Sequence, residues 1–199
     1  MADTSSATPI VNIIGTTVAL GPLGETIIEA RHRWNNDFAI AVLNGSIPHP
    51  QTIDISRGEY DRLGQDDKTR CDFAVYQRET MRLIGLVDLR TIDYRTRTAE
   101  LGILIGEQDC WGKGYGTEAL YLLLDYAFSV LGLHNVMLAT VGYNERALRA
   151  YRRVGFREIG RRREVCRVGA KWYDAVLMDC LATEFHSPLP PGVTPPEPT

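Results

Sequence analysis

Neither cysteine nor histidine is plentiful in this chain, with four of each in 199 residues, and neither is grouped. Cys71, Cys110, Cys166 and Cys180 form no C-x-x-C pair, and no H-E-x-x-H occurs. No metal centre is expected, and unpaired thiols suit a reduced, intracellular protein. Long apolar runs are missing too; none approaches membrane-spanning length. The opening MADTSSATP lacks the basic-then-apolar order of a signal, so the cytoplasm is expected and a membrane partner is not. Nor is there an excess of positive charge: a formal charge of −3 argues against general affinity for nucleic acid. Internal repeats are absent. What remains is an ordinary globular composition, 44% hydrophobic and 24% charged, long enough for one α/β domain.

The stretch from Ala99 to Leu131 organises the rest. Leu101–Ile105 is a short aliphatic run bounded by glycine and acid, as a buried strand is. Gly112, Gly114 and Gly116 then stand at alternate positions around Lys113 and Tyr115. Thr117–Leu131 is apolar apart from the stripe Glu118, Asp125 and Ser129, which predicts a helix buried on its other sides. Gly132 would end it in the left-handed conformation. Alternate glycines ahead of a helix let successive N–H groups converge on one point. The helix start adds free donors and partial positive charge. Such a cradle suits a phosphate or pyrophosphate. It is not a Walker loop, because Lys113 is followed by Gly114 and Glu107 stands where the first glycine belongs. A dinucleotide turn fits no better: the spacing is G-x-G-x-G, and the run Val136–Val141 carries no acid. A tight strand–helix turn that binds nothing is the plain alternative.

Taken in order, residues 1–9 read as a flexible leader, 10–185 as the folded domain, and 186–199, with six prolines, as a disordered tail. Ile10–Leu20 holds one or two strands. A helical region follows: Gly24–Asn36, a short piece within Asp37–Pro50 ended by Asn44-Gly45, and Ser56–Asp66. Cys71–Gln77 and Arg82–Leu89 are strands joined by a hairpin at Arg78-Glu79-Thr80. After the central helix come strand Asn135–Val141 and a helix capped by Asn144 and closed at Gly155. The stripe of that helix is Ala147, Ala150, Tyr151 and Val154. Phe156–Arg162 and Lys171–Leu181 close the fold as strands, with an arginine-rich turn between them. The expected class is α/β, one mixed sheet with helices on both faces.

Three segments together resemble the GNAT superfamily of acyl-CoA-dependent N-acyltransferases. Trp111–Ala119 (WGKGYGTEA) is similar to its Q/R-x-x-G-x-G/A loop, with Trp111 where Gln or Arg is usual. Asn144–Phe156 resembles N-x-x-A-x-x-x-Y-x-x-x-G-F, and Trp172–Met178 resembles the Y-x-D-x-x-x-M closing strand, with Trp172 in place of tyrosine. That last segment is like the subgroup of ribosomal-protein N-terminal and spermidine N-acetyltransferases. The resemblance implies a central parallel strand pair that splays apart. It further implies acetyl-CoA with pantetheine along Ile103, Leu104 and Ile105, and pyrophosphate on Trp111, Gly112, Lys113, Gly114, Tyr115, Gly116 and Thr117. Asn144 would be a cofactor contact or simply the helix cap. Lys113 would touch a phosphate or lie in solvent, and the nine arginines and one lysine between Asn144 and Lys171 would hold the 3′-phosphate or cover a solvated face.

The implied chemistry is direct attack of an amine on the thioester in a ternary complex, without metal. A backbone N–H near Leu104 would meet the carbonyl oxygen. Tyr151, two helical turns and about 10 Å beyond Asn144, would protonate the leaving sulfur; otherwise it is a core tyrosine. Glu100 is the candidate base, unless it merely pairs with Arg95 or Arg97. Glu29, His32 and Asp174 are weaker candidates. The acceptor is a protein N-terminus, a polyamine or another small amine such as an amino sugar, and the protein a monomer or homodimer. A catalytically silent acyl-CoA-binding module is the alternative.

Overall fold

Alternating and near-continuous apolar runs become strands, and the 3.6-residue stripes become helices, in the computed structural model, which describes residues 8–63 and 68–190. The strands are β1 (Ile13–Ile14), β2 (Val18–Gly21), β3 (Cys71–Gln77), β4 (Arg82–Asp93), β5 (Thr98–Ile105), β6 (Asn135–Val141), β7 (Arg157–Val168) and β8 (Lys171–Leu181). The helices are α1 (Thr26–Asn36), α2 (Phe38–Leu43), α3 (Ile53–Leu63), α4 (Tyr115–Asp125) and α5 (Glu145–Arg153). They build one sheet in the order β1-β2-β3-β4-β5-β6-β8-β7. Every neighbouring pair is antiparallel except β5 and β6.

Side-chain alternation divides the sheet into two faces. Ala99, Leu101, Ile103 and Ile105 of β5 belong with the main core beneath α4 and α5, which includes Leu120, Leu123, Leu148 and Tyr151. Leu104 belongs to a second cluster beneath α1 and α2, built on Ile27, Ile28, Trp34 and Ile40. Helices thus cover both faces, as expected.

The parallel pair is short. β5 and β6 are joined only at Thr98–Asn135, Ala99–Val136 and Glu100–Met137. Both strands continue, but each with its outer neighbour alone: β5 follows β4 as far as Ile105–Gly85, and β6 follows β8 as far as Val141–Ala175. Past Glu100 the sheet forks.

Several details depart from the sequence reading. β7 does not stop at Arg162 but runs through the arginines to Val168, so the turn is Gly169-Ala170. An irregularity between Arg162 and Cys166 offsets it, with Glu164 at φ +53° and its N–H donating to Asp174 Oδ1 (3.0 Å). Asp174 therefore holds this bulge. α3 begins three residues earlier than Ser56, and the expected end at Asp66 lies outside the described residues. α4 continues as a π-helical segment through Val130, after which Gly132 takes φ +66°. Glu118, on its polar stripe, meets protein rather than water: its carboxylate accepts the Thr16 and Thr17 amides and the Thr17 hydroxyl. Leu189, beyond the expected domain end at 185, packs on the core; residues 1–7 and 191–199 of the leader and tail lie outside the described part. No helix among the described residues is long and apolar enough to cross a membrane.

Gly106 fixes how α1 meets the end of β5. A Cβ there would overlap the Trp34 indole, which is buried and donates to Glu107 Oε1 (3.1 Å). Gly106→Ala is expected to cost about 1–3 kcal/mol through overpacking. For a chain of this size that lowers the melting temperature by about 2–4 °C per kcal/mol. An unchanged thermal melt would show that Trp34 can move without penalty.

Candidate active site

Beyond the fork, one side of β5 has no strand beside it. The Gly106 N–H donates to Ile84 O on β4 (2.9 Å), so the Ile105 carbonyl, on the other side of the same peptide, faces the fork. Trp111 Nε1 donates to it there (2.6 Å). The Leu104 carbonyl instead abuts Gly85 of β4. Alternation then directs the backbone of Ile103 and the N–H of Ile105 into the fork, and turns the backbone of Leu104 toward β4. This corrects the expectation for Leu104: an amide that meets a carbonyl oxygen in the fork belongs to Ile103 or Ile105. The Ile105 carbonyl, expected to pair with pantetheine, already has a donor in Trp111. Burial records the opening as well, since alternation ends at Leu101 and Gly102 through Ile105 are all half-buried.

The glycine turn meets the same strand end. α4 opens at Gly114 with φ +88° and no side-chain cap. Its first internal bond runs from the Glu118 N–H to Gly114 O (3.0 Å), so the N–H groups of Tyr115, Gly116 and Thr117 lack helical acceptors. A Cβ on Gly114 would meet open space, so the glycine serves the backbone conformation rather than a tight fit. A Cβ on Gly116 would stand 3.4 Å from Ile105 and 3.8 Å from Ile103, which puts the helix start in touch with the fork. Lys113 is exposed, and the Tyr115 phenol accepts from Gln77 Nε2 (3.2 Å), leaving only the Tyr115 backbone to the cradle. Trp111 lies with its ring 4.0 Å from the Arg146 guanidinium of α5. Free amides at a helix start beside an open strand edge fit the pyrophosphate and pantetheine arm of an acyl-CoA.

Asn144 has a structural role. Its Oδ1 accepts the Ala147 N–H (3.1 Å) and its Nδ2 donates to Leu43 O (2.9 Å), while the Tyr143 hydroxyl donates to Val42 O. It caps α5, as the capping alternative expects, and ties α2 across to the β6–α5 loop.

Tyr151 is 8% exposed and packs edge-on against Phe156, with centroids 5.9 Å apart. Its hydroxyl makes no hydrogen bond with any described residue. Burial pushes the phenol up to about 12. It is thus a core ring with a free hydroxyl that stays protonated at working pH. If Tyr151 acts as the proton donor, kcat should show no falling limb between about pH 8 and 10, where an ordinary phenol begins to ionise. A fall centred near 10 would contradict this.

Glu100 occupies the last paired position before the fork, on the face opposite Tyr151. Its partner is Arg90, whose Nη2 lies 3.3 Å from Glu100 Oε1, rather than Arg95 or Arg97. Arg95 pairs with Asp93, and Arg97 donates to Gly132 O (2.6 Å). Around Glu100 lies a charged row absent from the sequence reading. Asp88 is 5% exposed, with Arg90 Nε at 2.9 Å and an Arg70 nitrogen at 3.8 Å; Arg70 also bonds Asp72 (2.6 Å). Burial pushes the Asp88 carboxyl up, against the pull of Arg90 and Arg70. A lone acid inside the apolar run LIGLVDL was the available signal. Across the fork, β6 presents Met137 and Ala139, both exposed. Glu29 is exposed, and the His32 ring lies 3.3 Å from Asn36 Nδ2. Among the described residues no His, Cys, Asp or Glu group could hold a metal. A cavity of about 360 Å³, lined by Thr16, Thr17, Gln77, Arg78, Glu79 and Tyr115, includes no β5 or β6 residue.

Comparison with known proteins decides the family. Residues 18–157 match the family model described as an acetyltransferase (GNAT) domain. The chain belongs to the GNAT acetyltransferase family. Among relatives, a spermidine N(1)-acetyltransferase of Escherichia coli is 31% identical over 140 residues, 70% of this chain and 73% of that protein. One from Vibrio cholerae is 34% identical over 103 residues, 52% of this chain and 59% of that protein's length. The solved Vibrio cholerae spermidine N-acetyltransferase with CoA and spermine has a TM-score of 0.76 at 28% identity, covering 84% of this chain and 97% of that one. The GNAT fold and its chemistry, acetyl transfer from acetyl-CoA to an amine, are thereby established for this chain, and the relatives give no support to a silent acyl-CoA-binding module.

Proposed function

We propose that the chain acetylates a primary amine that enters from the α1–α3 side of the sheet, while acetyl-CoA lies in the fork with its pyrophosphate on the α4 cradle. The observation that carries this is the end of β5–β6 pairing at Glu100–Met137, with free α4 amides beside it. Acetyl-CoA supplies an acetyl group activated as a thioester. The Ile103 or Ile105 amide hydrogen-bonds the carbonyl oxygen, and Tyr151 holds a proton for the departing sulfur. Glu100 orients the incoming ammonium and takes up or relays its proton. Positioning supplies much of the rate, since no covalent enzyme intermediate is needed.

The acceptor is a polyamine, as the names of the relatives support, or a protein N-terminus or other small amine. The reading includes the cytoplasm as compartment, in keeping with four free cysteines, and a monomer or homodimer as assembly. A Vibrio cholerae relative described as dodecameric makes a larger assembly, seen by light scattering, the correcting result. The transferase reading is tested by calorimetric titration with acetyl-CoA, followed by thiol release over an amine panel. Binding with amine-dependent release is expected. Binding without release from any amine would contradict it.

A further inference from the structure

Resting on the placement of acetyl-CoA in the fork, we infer that α2 is a spacer holding the two arms apart by the width of pantetheine. Gln108 and Tyr143 are positioning residues that fasten its two ends. Past Glu100–Met137 no strand pairing joins β5 to β6, so the gap is set by something other than the sheet. On the α4–α5 face the arms are joined through the helices that follow them, where the Tyr121 hydroxyl donates to Arg153 O (2.8 Å). On the opposite face α2 makes the connection.

Each end of α2 is bonded to a different arm. Its N-cap Asp37 accepts the Ala39 N–H on Oδ1 (2.9 Å) and Gln108 Nε2 on Oδ2 (2.5 Å). Gln108 lies in the 3-10 turn that continues the β5 arm. At the other end, Val42 O accepts the Tyr143 hydroxyl, and Leu43 O accepts Asn144 Nδ2 (2.9 Å). Both of those donors lie in the loop that continues the β6 arm. Packing repeats the pattern. Ile40 shares a cluster with Leu104 and Trp111 of the β5 arm, whereas a Cβ on Gly45, just past the helix, would stand 2.5 Å from Val141 at the end of β6. Arg146, stacked on Trp111 at 4.0 Å, adds a softer contact between the same arms.

The length of α2 suits that task. From Asp37 to Leu43 the helix rises about 9 Å. Paired strands stand about 4.8 Å apart, so two strands flanking one inserted chain stand about 10 Å apart. A rod of this length therefore leaves room for one extended chain, and pantetheine along Ile103 and Ile105 is such a chain. A helix of six residues does not persist by itself. Burial of Ile40 and Ala41 and the two fastened ends keep it formed, so release at either end loosens the whole rod. A fork already set to the cofactor's width spares the cofactor the cost of ordering it.

The test is a double-mutant cycle on acetyl-CoA affinity, read by calorimetry, with Gln108→Ala, Tyr143→Phe and the pair. Gln108 is exposed, and the Tyr143 ring keeps its edge contact with Tyr173 (4.7 Å), so both variants should fold. Each should weaken binding about fivefold, the scale of one hydrogen bond. Independent contacts would multiply to about twenty-five-fold in the pair, whereas two ends of one rod should give less than about tenfold. Ala39→Gly softens the helix at an exposed position and should weaken binding about threefold without removing any side-chain bond to an arm. At saturating acetyl-CoA, kcat should stay within about twofold of wild type in all of them, because the spacer acts before the chemistry. Single variants that bind like wild type, a pair that reaches the product, or a fall in kcat at unchanged affinity overturns the spacer alone. If acetyl-CoA leaves the Ile103 and Ile105 amides of the wild type unprotected from hydrogen exchange, the fork placement falls and the spacer with it.

Discussion

Tyr151→Phe is expected to lower kcat about a hundredfold, the lower end of what a positioned proton donor contributes, while affinity for acetyl-CoA stays near wild type. The ring already fills its place against Phe156, and the hydroxyl has no partner among the described residues to lose. Removing that oxygen therefore leaves packing intact, and the loss belongs to a proton needed only as the sulfur departs. Single-turnover kinetics at saturating acetyl-CoA give the direct reading. An unchanged rate with a lowered melting temperature would make Tyr151 a core residue and water the acid.

Gly114→Val should weaken acetyl-CoA binding at least tenfold, about 1.4 kcal/mol. Two effects combine. A β-branched residue at φ +88° is a backbone outlier, so the turn that aims the amides must distort. The new side chain also occupies the open space into which a Cβ points, which the pyrophosphate would need. Gly114→Ala separates them, since it keeps most of the strain, about 1–2 kcal/mol, and little of the bulk. Calorimetry on folded variants checks both; unchanged affinity in Gly114→Val would remove the cradle from the binding site.

Much of this was legible because each face of a core strand or helix meets one environment. Cys71–Gln77, Asn135–Val141 and Lys171–Leu181 have the expected bounds, and so does the Asn144 cap. β7 was obscured because an edge strand exposed on both faces has no reason to alternate, so its arginines read as a turn. Backbone direction was invisible for a different reason. Whether Leu104 or its neighbours face the fork depends on strand register, which the β4 pairing sets and no side chain announces. Arg90 as the partner of Glu100 likewise follows from cross-strand registry, ten residues apart, where the sequence suggested nearer arginines.

Amide hydrogen exchange with and without acetyl-CoA, resolved to single residues, tests most directly whether the fork and the α4 cradle form the cofactor site. Binding should slow exchange at Ile103 and Ile105 and across Gly112 to Thr117, and leave Leu104, already turned toward β4, unchanged. Protection centred instead on Thr16, Thr17 and Gln77, with the fork amides unaffected, would contradict that placement.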